Sequence, residues 1–381
     1  MTTIPLGLQN HGRPAWRRLD WTLLVPVLLL CLGGLFAIKS ARHVYVHPMD
    51  LVHKEALGIV LGIVTLCLLA LSDYEILLKQ YARFLYPLNL CLLTVVLVSS
   101  KLGHASHGAQ RWISLGPFEL QPSEVAKIIL ICTLAMYLAA RSDTIRTWPT
   151  LLKSLVHIGI PMLLIARQPD LGTALVLLGI WFGMTLMAGA RLAHLALLFL
   201  AGVLLFAGMW HFNVLLKGYQ KSRLEVFLNP AADPRDTGYH LRQSEIAIGS
   251  GQFSGEGYER GRQSNGKFIP EQYTDFIFTV VGEEGGFVSC IILLALYLLV
   301  LIRGVAIMAT CKDTLGRLLA AGIVAMLTFH IVVNIGMTLG IMPVVGVPLP
   351  FFSYGLSSLL VNFCAIGLLM SIAARKHRVM F

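Results

Sequence analysis

Long apolar runs alternate with short polar links along this chain. The runs fall at about 21–38, 54–71, 82–99, 123–140, 151–166, 171–188, 192–212, 276–302, 317–340 and 354–373. Most approach the ~20 residues that an α-helix needs to cross a bilayer core. The pattern predicts an all-α integral membrane protein of about ten transmembrane helices, a single polytopic domain over 1–381. One long loop, 213–275, separates helices 7 and 8. The fifth run is the weakest. It contains His157, Gly159 and Pro161 and ends near Arg167, which predicts a short or broken helix. Backbone freed by such a break must be buried in protein or line a cavity. The first run follows Arg13, Arg17 and Arg18 without a small-x-small cleavage site, so it reads as a retained helix. The chain shows no evident internal repeat, low-complexity tract or coiled-coil heptad.

Charge gives the pattern a direction. With the N-terminus in the cytoplasm, the inner links hold Arg13, Arg17, Arg18, Lys79, Arg83, Arg141, Arg146, Lys153, Arg191, Arg303, Lys312, Arg317, Arg375, Lys376 and Arg378. The short outer links then hold only Lys39, Arg42, Lys54, Lys101, Arg111, Lys127 and Arg167. Positive residues favour the cytoplasmic side, so both termini are expected inside and the 213–275 loop outside. Polar chemistry then gathers on the outer side, at 100–123, 167–172, 213–275 and 341–353. A loop of such length in a compact protein is more often functional than connective.

Composition excludes a soluble enzyme: 56% of residues are hydrophobic, 13% are charged and mean hydropathy is +0.74. The net charge of +10 suits anionic lipid headgroups or an anionic substrate better than nucleic acid. The seven cysteines form no CxxC pair and none lies in the long loop, which marks them as apolar packing residues. No His/Cys cluster has metal-ligand spacing, and neither HExxH nor GxSxG occurs. Most of the twelve histidines read as interfacial.

Four outer segments carry candidate chemistry. The first is GAQRWISLGPFELQPSEVAK, ending at Lys127. Pro122 suits a first helical turn, and Glu124 and Lys127, three residues apart, share one helix face. A capped helix with a surface ion pair and an interfacial Trp112 would look the same. The second is RQPDLGTA, where Asp170 is placed to cap the next helix and Arg167 to meet an anion or to snorkel. The third runs from Tyr219 through Arg223 to QSEIAIGSG and PEQYTDFIF. Gln243 to Ile248 has helix composition, glycines follow, and Asp275 stands just before an apolar helix, as a cap or as a reactive group. The fourth is NIGMTLGIMPVVGVPLPFFSYG, a stiff Pro/Gly turn before a helix begun by Ser353 and Tyr354.

Taken together, these segments resemble the RodA/FtsW (SEDS) family of peptidoglycan glycosyltransferases. Four motifs stand in the family's order across about 260 residues, among spans of the right number. The short N-terminal tail, QSEIAIGSG and IPEQYTDFIFTV are more similar to RodA (elongation) than to FtsW (division). The resemblance implies a ten-helix protein of the cytoplasmic (inner) membrane that polymerises lipid II into glycan strands on the outer face during cell elongation. It implies Asp275 as catalytic base, and Arg111, Gln121, Ser123, Glu124, Lys127, Arg167, Arg223, Ser353 and Tyr354 as substrate-binding candidates. The implied partners are lipid II, a class B penicillin-binding protein and other elongation-machinery membrane proteins, with no nucleic acid. A divalent cation (Mg or Mn) assisting the leaving group comes from the resemblance alone, since the sequence shows no dedicated cage; no organic cofactor is expected. The rival readings are a lipid II flippase and an FtsW-type division polymerase. Two departures stand out: Leu356 where the family has glycine, and Gly249-Ser-Gly-Gln252 where another glycine is common.

Overall fold

The computed structural model describes residues 20–42, 48–98, 103–106, 109–115, 118–212, 223, 225–229, 233, 237–266, 268–269 and 272–375. Arg13, Arg17, Arg18, Lys101, Lys376 and Arg378 of the charge pattern lie outside them, as does much of the first part of the 213–275 loop.

Among the described residues, nine helices are long and apolar enough to cross a membrane. They are α1 (Trp21–Arg42), α2 (Pro48–Leu71), α3 (Tyr74–Val98), α4 (Pro122–Ala139), α5 (Trp148–Arg167), α7 (Leu192–His211), α10 (Ile277–Thr310), α11 (Thr314–Thr338) and α12 (Leu356–Arg375). A tenth apolar helix, α6 (Leu171–Met187), is only 17 residues long. Two further helices, α8 (Thr237–Ser250) and the single turn α9 (Arg262–Asn265), lie in the connector between α7 and α10. The expected helical membrane protein of about ten spans is therefore what folds. Apolar side chains point outward as well as inward: on α7 only Leu195 is buried, while Phe199, Leu204 and Leu205 are exposed. Such an all-round apolar helix suits a lipid environment.

Several expectations need correction. The fifth span is unbroken, running through Pro161 for 20 residues. The 100–123 link is no plain loop. It folds into a small antiparallel meander of β1 (Gly103–Ser106), β2 (Ala109–Leu115) and β3 (Phe118–Leu120), in the order β1-β2-β3. The last helix starts at Leu356, so Ser353 and Tyr354 belong to the preceding turn.

The core forms where α4, α11 and α12 are packed on both sides. Gly58 and Gly62 of α2 let α12 come close, so that Leu356 and Phe363 fill the space a Cβ would take. Small residues serve this close approach in membranes, where apolar burial from water cannot drive helix association. At one end of the bundle short links join the helices, tied by Arg303 to Asp20 at 2.7 Å, Arg375 to Asp73 at 3.3 Å and Tyr74 to Asp313 at 3.0 Å. At the other end lie the β-meander, the α5–α6 turn, the α7–α10 connector and the strap 339–355 between α11 and α12.

Helix α10 is broken where this end meets the bundle. Gly286 sits at φ +64°, outside helical geometry. The carbonyls of Glu283 and Glu284, which lose their helical partners there, accept from the connector amides of Glu256 and Gly257, each at 3.0 Å. In return, Phe287 N–H donates to the Gln252 carbonyl at 2.9 Å. A Cβ at Gly251 or Gly255 would run into these same α10 carbonyls, so glycine is required for the approach. Buried backbone groups must be paired, and the connector supplies the pairing that the kink removes.

Candidate active site

Helix α4 begins with Pro122 in its first turn, where a missing N–H costs nothing, and its first turns carry Ser123, Glu124 and Lys127 inward. All three are buried. Lys127 Nζ donates to Glu124 Oε1 at 2.8 Å, as the three-residue spacing predicts. The pair is not a surface feature: the lysine side chain is 2% exposed and the glutamate 5%. Removing one member of such a buried pair leaves an uncompensated charge, a loss of about 3–5 kcal/mol. Lys127 Nζ also lies 2.9 Å from His330 Nε2 on α11. His330 Nδ1 is 3.1 Å from the Pro348 carbonyl of the strap.

Asp170 caps α6 by accepting from Thr173 N–H at 3.1 Å. Its other oxygen accepts from Ser123 Oγ at 3.0 Å and Gln121 Nε2 at 3.3 Å. One carboxylate thus joins the second motif to the first. Arg111 on β2 donates from Nε to the Gln168 carbonyl at 2.8 Å, and through its guanidinium to the Pro169 carbonyl. It therefore pins the meander to the α5–α6 turn. Arg167, which ends α5, is exposed and makes no hydrogen bond to this cluster among the described residues.

Asp275 stands two residues before α10. The N-cap position of that helix is Phe276, which provides no side-chain cap. The Asp275 carboxylate instead faces the strap. A Cβ built on Gly346 would lie 3.1 Å from Asp275 Oδ2 and 3.9 Å from Arg223 Nη1, so both groups meet at that glycine. Gly346 has φ +69°, which L side chains rarely adopt. The Asp275 backbone is fixed from α11, where Asn334 Nδ2 donates to the Asp275 carbonyl at 2.9 Å and to the Val347 carbonyl at 2.7 Å.

The strap has further fastenings. Ser353 Oγ accepts from Leu349 N–H at 2.9 Å, which sets the turn. Tyr354 N–H donates to the Tyr273 carbonyl at 2.9 Å, and the two rings meet edge to face at 5.8 Å. A second hydrophobic cluster of Ala247, Ile269, Phe276, Met337 and Val344 binds α8, the residues before α10, α11 and the strap. Ser244 Oγ adds a bond to the Thr338 carbonyl at 2.7 Å.

The structure thus brings together Asp275, Arg223, Glu124, Lys127, Gln121, Ser123 and Asp170 at one end of the bundle. Ser353 and Tyr354 shape the strap beside them, Arg111 braces the nearby turn, and Arg167 stays apart. Sequence reasoning missed His330, which it did not single out from the scattered histidines and which is only 1% exposed. It gave no role to Glu283. This fully buried carboxylate accepts from Gln263 N–H at 2.6 Å and Ser264 N–H at 3.1 Å, starting α9. The signal for both was an ionisable residue inside an apolar run.

A cavity of about 570 Å³ lies elsewhere, between α1 and α10, lined by Leu29, Phe36, Val281, Leu296, Phe352 and Glu284. Apart from Ser289, Tyr258 and Glu284, which accepts from Ser40 Oγ at 2.5 Å, these walls are apolar, and Asp275, Arg223 and Lys127 are not among them. Tyr258 stands at its rim and donates to the Phe36 carbonyl at 3.3 Å. Burial, then the neighbouring Glu259, push that phenol up to about 12, so it keeps its proton. Among the described residues no group of three or more His, Cys, Asp or Glu is arranged to hold a metal ion. Glu124 is paired with Lys127, and Asp170 with Thr173, Ser123 and Gln121, so the described residues do not fit a protein-built divalent-cation cage.

Comparison with known proteins agrees with this architecture. The FtsW/RodA/SpoVE family model, described as "Cell cycle protein", matches residues 20–378. The chain is 39% identical over 368 residues to "Peptidoglycan glycosyltransferase MrdB" of Escherichia coli (strain K12), covering 95% of each. It is 34% identical to "Peptidoglycan glycosyltransferase RodA" of Treponema pallidum, covering 94% of this chain and 98% of that one. Among solved structures, a chain of a peptidoglycan synthase complex, described as coordinating polymerization and crosslinking, superposes with a TM-score of 0.80 at 33% identity, covering 95% of this chain and 99% of that one. The rod shape determining protein RodA of Thermus thermophilus gives 0.69 at 30% identity, covering 96% of this chain and all of that one. With the family model spanning nearly its whole length, the chain belongs to the FtsW/RodA/SpoVE family.

Proposed function

We propose that this chain is a RodA-like peptidoglycan glycosyltransferase that polymerises lipid II on the outer face of the cytoplasmic membrane. The 4-hydroxyl of one sugar attacks the anomeric carbon of another. The new glycosidic bond forms as the bond to undecaprenyl diphosphate breaks, and the hydroxyl proton passes to a base. The observation that carries this reading is the Asp275 carboxylate, held against the strap at the start of a membrane-spanning helix with Arg223 at the same glycine. A carboxylate there meets a sugar hydroxyl where a polyprenyl chain remains in lipid. A guanidinium beside it stabilises the departing diphosphate as charge develops. Of the candidate cations, Arg223 is the one whose guanidinium lies with the Asp275 carboxylate at Gly346.

The charge pattern supports both termini in the cytoplasm, which puts the Asp275 end outside. The synthase-complex neighbour supports a crosslinking partner, for which a class B penicillin-binding protein is our assignment.

Purified protein given purified lipid II, with and without that partner, tests the reading through Asp275→Asn. The amide keeps the shape and removes the base, whose loss costs about a hundredfold or more in rate. We expect a folded, membrane-inserted protein that makes almost no glycan polymer. Polymerisation at a third of the wild-type rate or better would remove Asp275 from the chemistry.

A further inference from the structure

We propose that His330, with Asn334 one turn further along α11, is a positioning residue for glycosyl transfer: it ties the buried Lys127–Glu124 pair to the strap against which the Asp275 carboxylate rests. This rests on reading Asp275 as the base.

The hydrogen-bond chemistry permits one arrangement of the ring. An ammonium has donors and no acceptor, so His330 Nε2 accepts from Lys127 Nζ across 2.9 Å. A carbonyl oxygen only accepts, so Nδ1 carries the proton and donates to Pro348 at 3.1 Å. Both ring nitrogens are used and the tautomer is fixed from both sides. Asn334 is constrained in the same way. Its two close partners are carbonyl oxygens, of Val347 and Asp275, so its amide nitrogen faces them. Its Oδ1 is left buried without a partner among the described residues. An amide turned so as to satisfy two carbonyls while its own acceptor stays empty is held there for its donors.

The consequence lies in three consecutive strap residues. Gly346 faces the Asp275 carboxylate, and the Val347 and Pro348 carbonyls are tied to Asn334 and His330. Pro348 has no N–H and a fixed φ, so this stretch moves as a stiff piece. Loss of the His330 anchor shifts Gly346, and with it the resting surface of the carboxylate.

The test compares His330→Leu, which keeps neither bond, with His330→Gln, which keeps one donor and one acceptor. The full-length protein is assayed for lipid II polymerisation, with kcat, KM and melting temperature measured in one detergent. We expect His330→Leu to lose about tenfold to a hundredfold in kcat, as a sub-ångström misplacement of a reacting group does. KM for lipid II should stay near wild type and the melting temperature should not account for the loss. His330→Gln should recover most of kcat. Wild-type kcat in His330→Leu, equal impairment in both variants, or losses that follow melting temperature would overturn the proposal. Asn334→Ala, measured alongside, should repeat the kcat loss; if neither it nor His330→Leu folds, the pair is a folding element and the proposal falls. Asp275→Asn in the same assay separates the two readings. If it stays active, the base assignment fails and takes this inference with it. If it is inactive while His330→Leu is normal, this inference alone fails.

Discussion

Gly346→Ala is the smallest substitution that reaches Asp275 directly. Two costs arise, and the structure separates them. The first is backbone strain. At φ +69° an L side chain costs roughly 1–2 kcal/mol. The second is contact. The new methyl would lie 3.1 Å from Asp275 Oδ2, closer than carbon and oxygen settle comfortably, but 3.9 Å from Arg223 Nη1, an ordinary distance. The strap cannot easily yield. Asn334 and His330 hold the Val347 and Pro348 carbonyls, and Gly172 of α6 packs against the Val345 carbonyl. The carboxylate must therefore move by a few tenths of an ångström. If about 1 Å of misplacement costs about a hundredfold, a shift of this size should cost on the order of three- to tenfold in rate. Gly189→Ala supplies the control. It sits at φ +90° in the α6–α7 link, and a Cβ there meets nothing within 4 Å. The two variants should lose comparable stability, read as melting temperature in detergent, while only Gly346→Ala loses initial rate of lipid II polymerisation. Equal rates in the two variants would refute the claim that the carboxylate's rest on Gly346 matters to the reaction.

Two further outcomes follow from the packing and the topology. Leu356→Gly restores the residue usual in the family but empties the contact with α2, where Leu356 Cδ2 lies 2.5 Å from the Cβ position of Gly58. We expect a stability loss of about 1–3 kcal/mol, since the side chain is only half-buried, with polymerisation near wild type; a marked gain in rate would mean that Leu356 restrains the enzyme. Arg262→Cys in α9, with its native side chain 89% exposed, should react with a membrane-impermeant maleimide on intact cells. Labelling only after lysis would put the Asp275 end inside and defeat the outer-face reaction.

The helices were legible because an apolar run near bilayer length has one main solution. Local chemistry was legible too: Pro122 opens α4, Asp170 caps α6, and Glu124 and Lys127 pair across one face. What sequence could not supply was the depth of these groups. Glu124 and Lys127 read equally well as a surface pair, and only the packing of α11 against α4 buries them. His330 was invisible for the same reason, because its two partners lie 203 residues before it and 18 after it. Pro161 misled in the opposite direction. A proline removes one hydrogen bond, and a helix packed on its neighbours tolerates that loss. The β-meander escaped notice because its strands are short: the first is only Gly-His-Ala-Ser and the third only Phe-Glu-Leu, too few residues for an alternation to stand out.

The kink in α10 bears on how the proposed base, Asp275, can be held at the end of a loop at all. Catalytic groups on long connectors are usually poorly fixed, because loops open at low cost. Here the helix that follows Asp275 gives up its own hydrogen bonds at Gly286, and the connector that precedes Asp275 makes them instead. Glu283 extends the exchange by holding the backbone of α9, and Gln272 joins Ser264 to Thr279 at 3.0 and 3.1 Å. The connector therefore cannot lift away without leaving buried carbonyls of α10 unpaired, a cost of about 1–3 kcal/mol for each. Asp275 sits between two such arrangements, the knitted connector on one side and the strap clamped by α11 on the other. Its position is set by two membrane-embedded helices rather than by the loop that contains it.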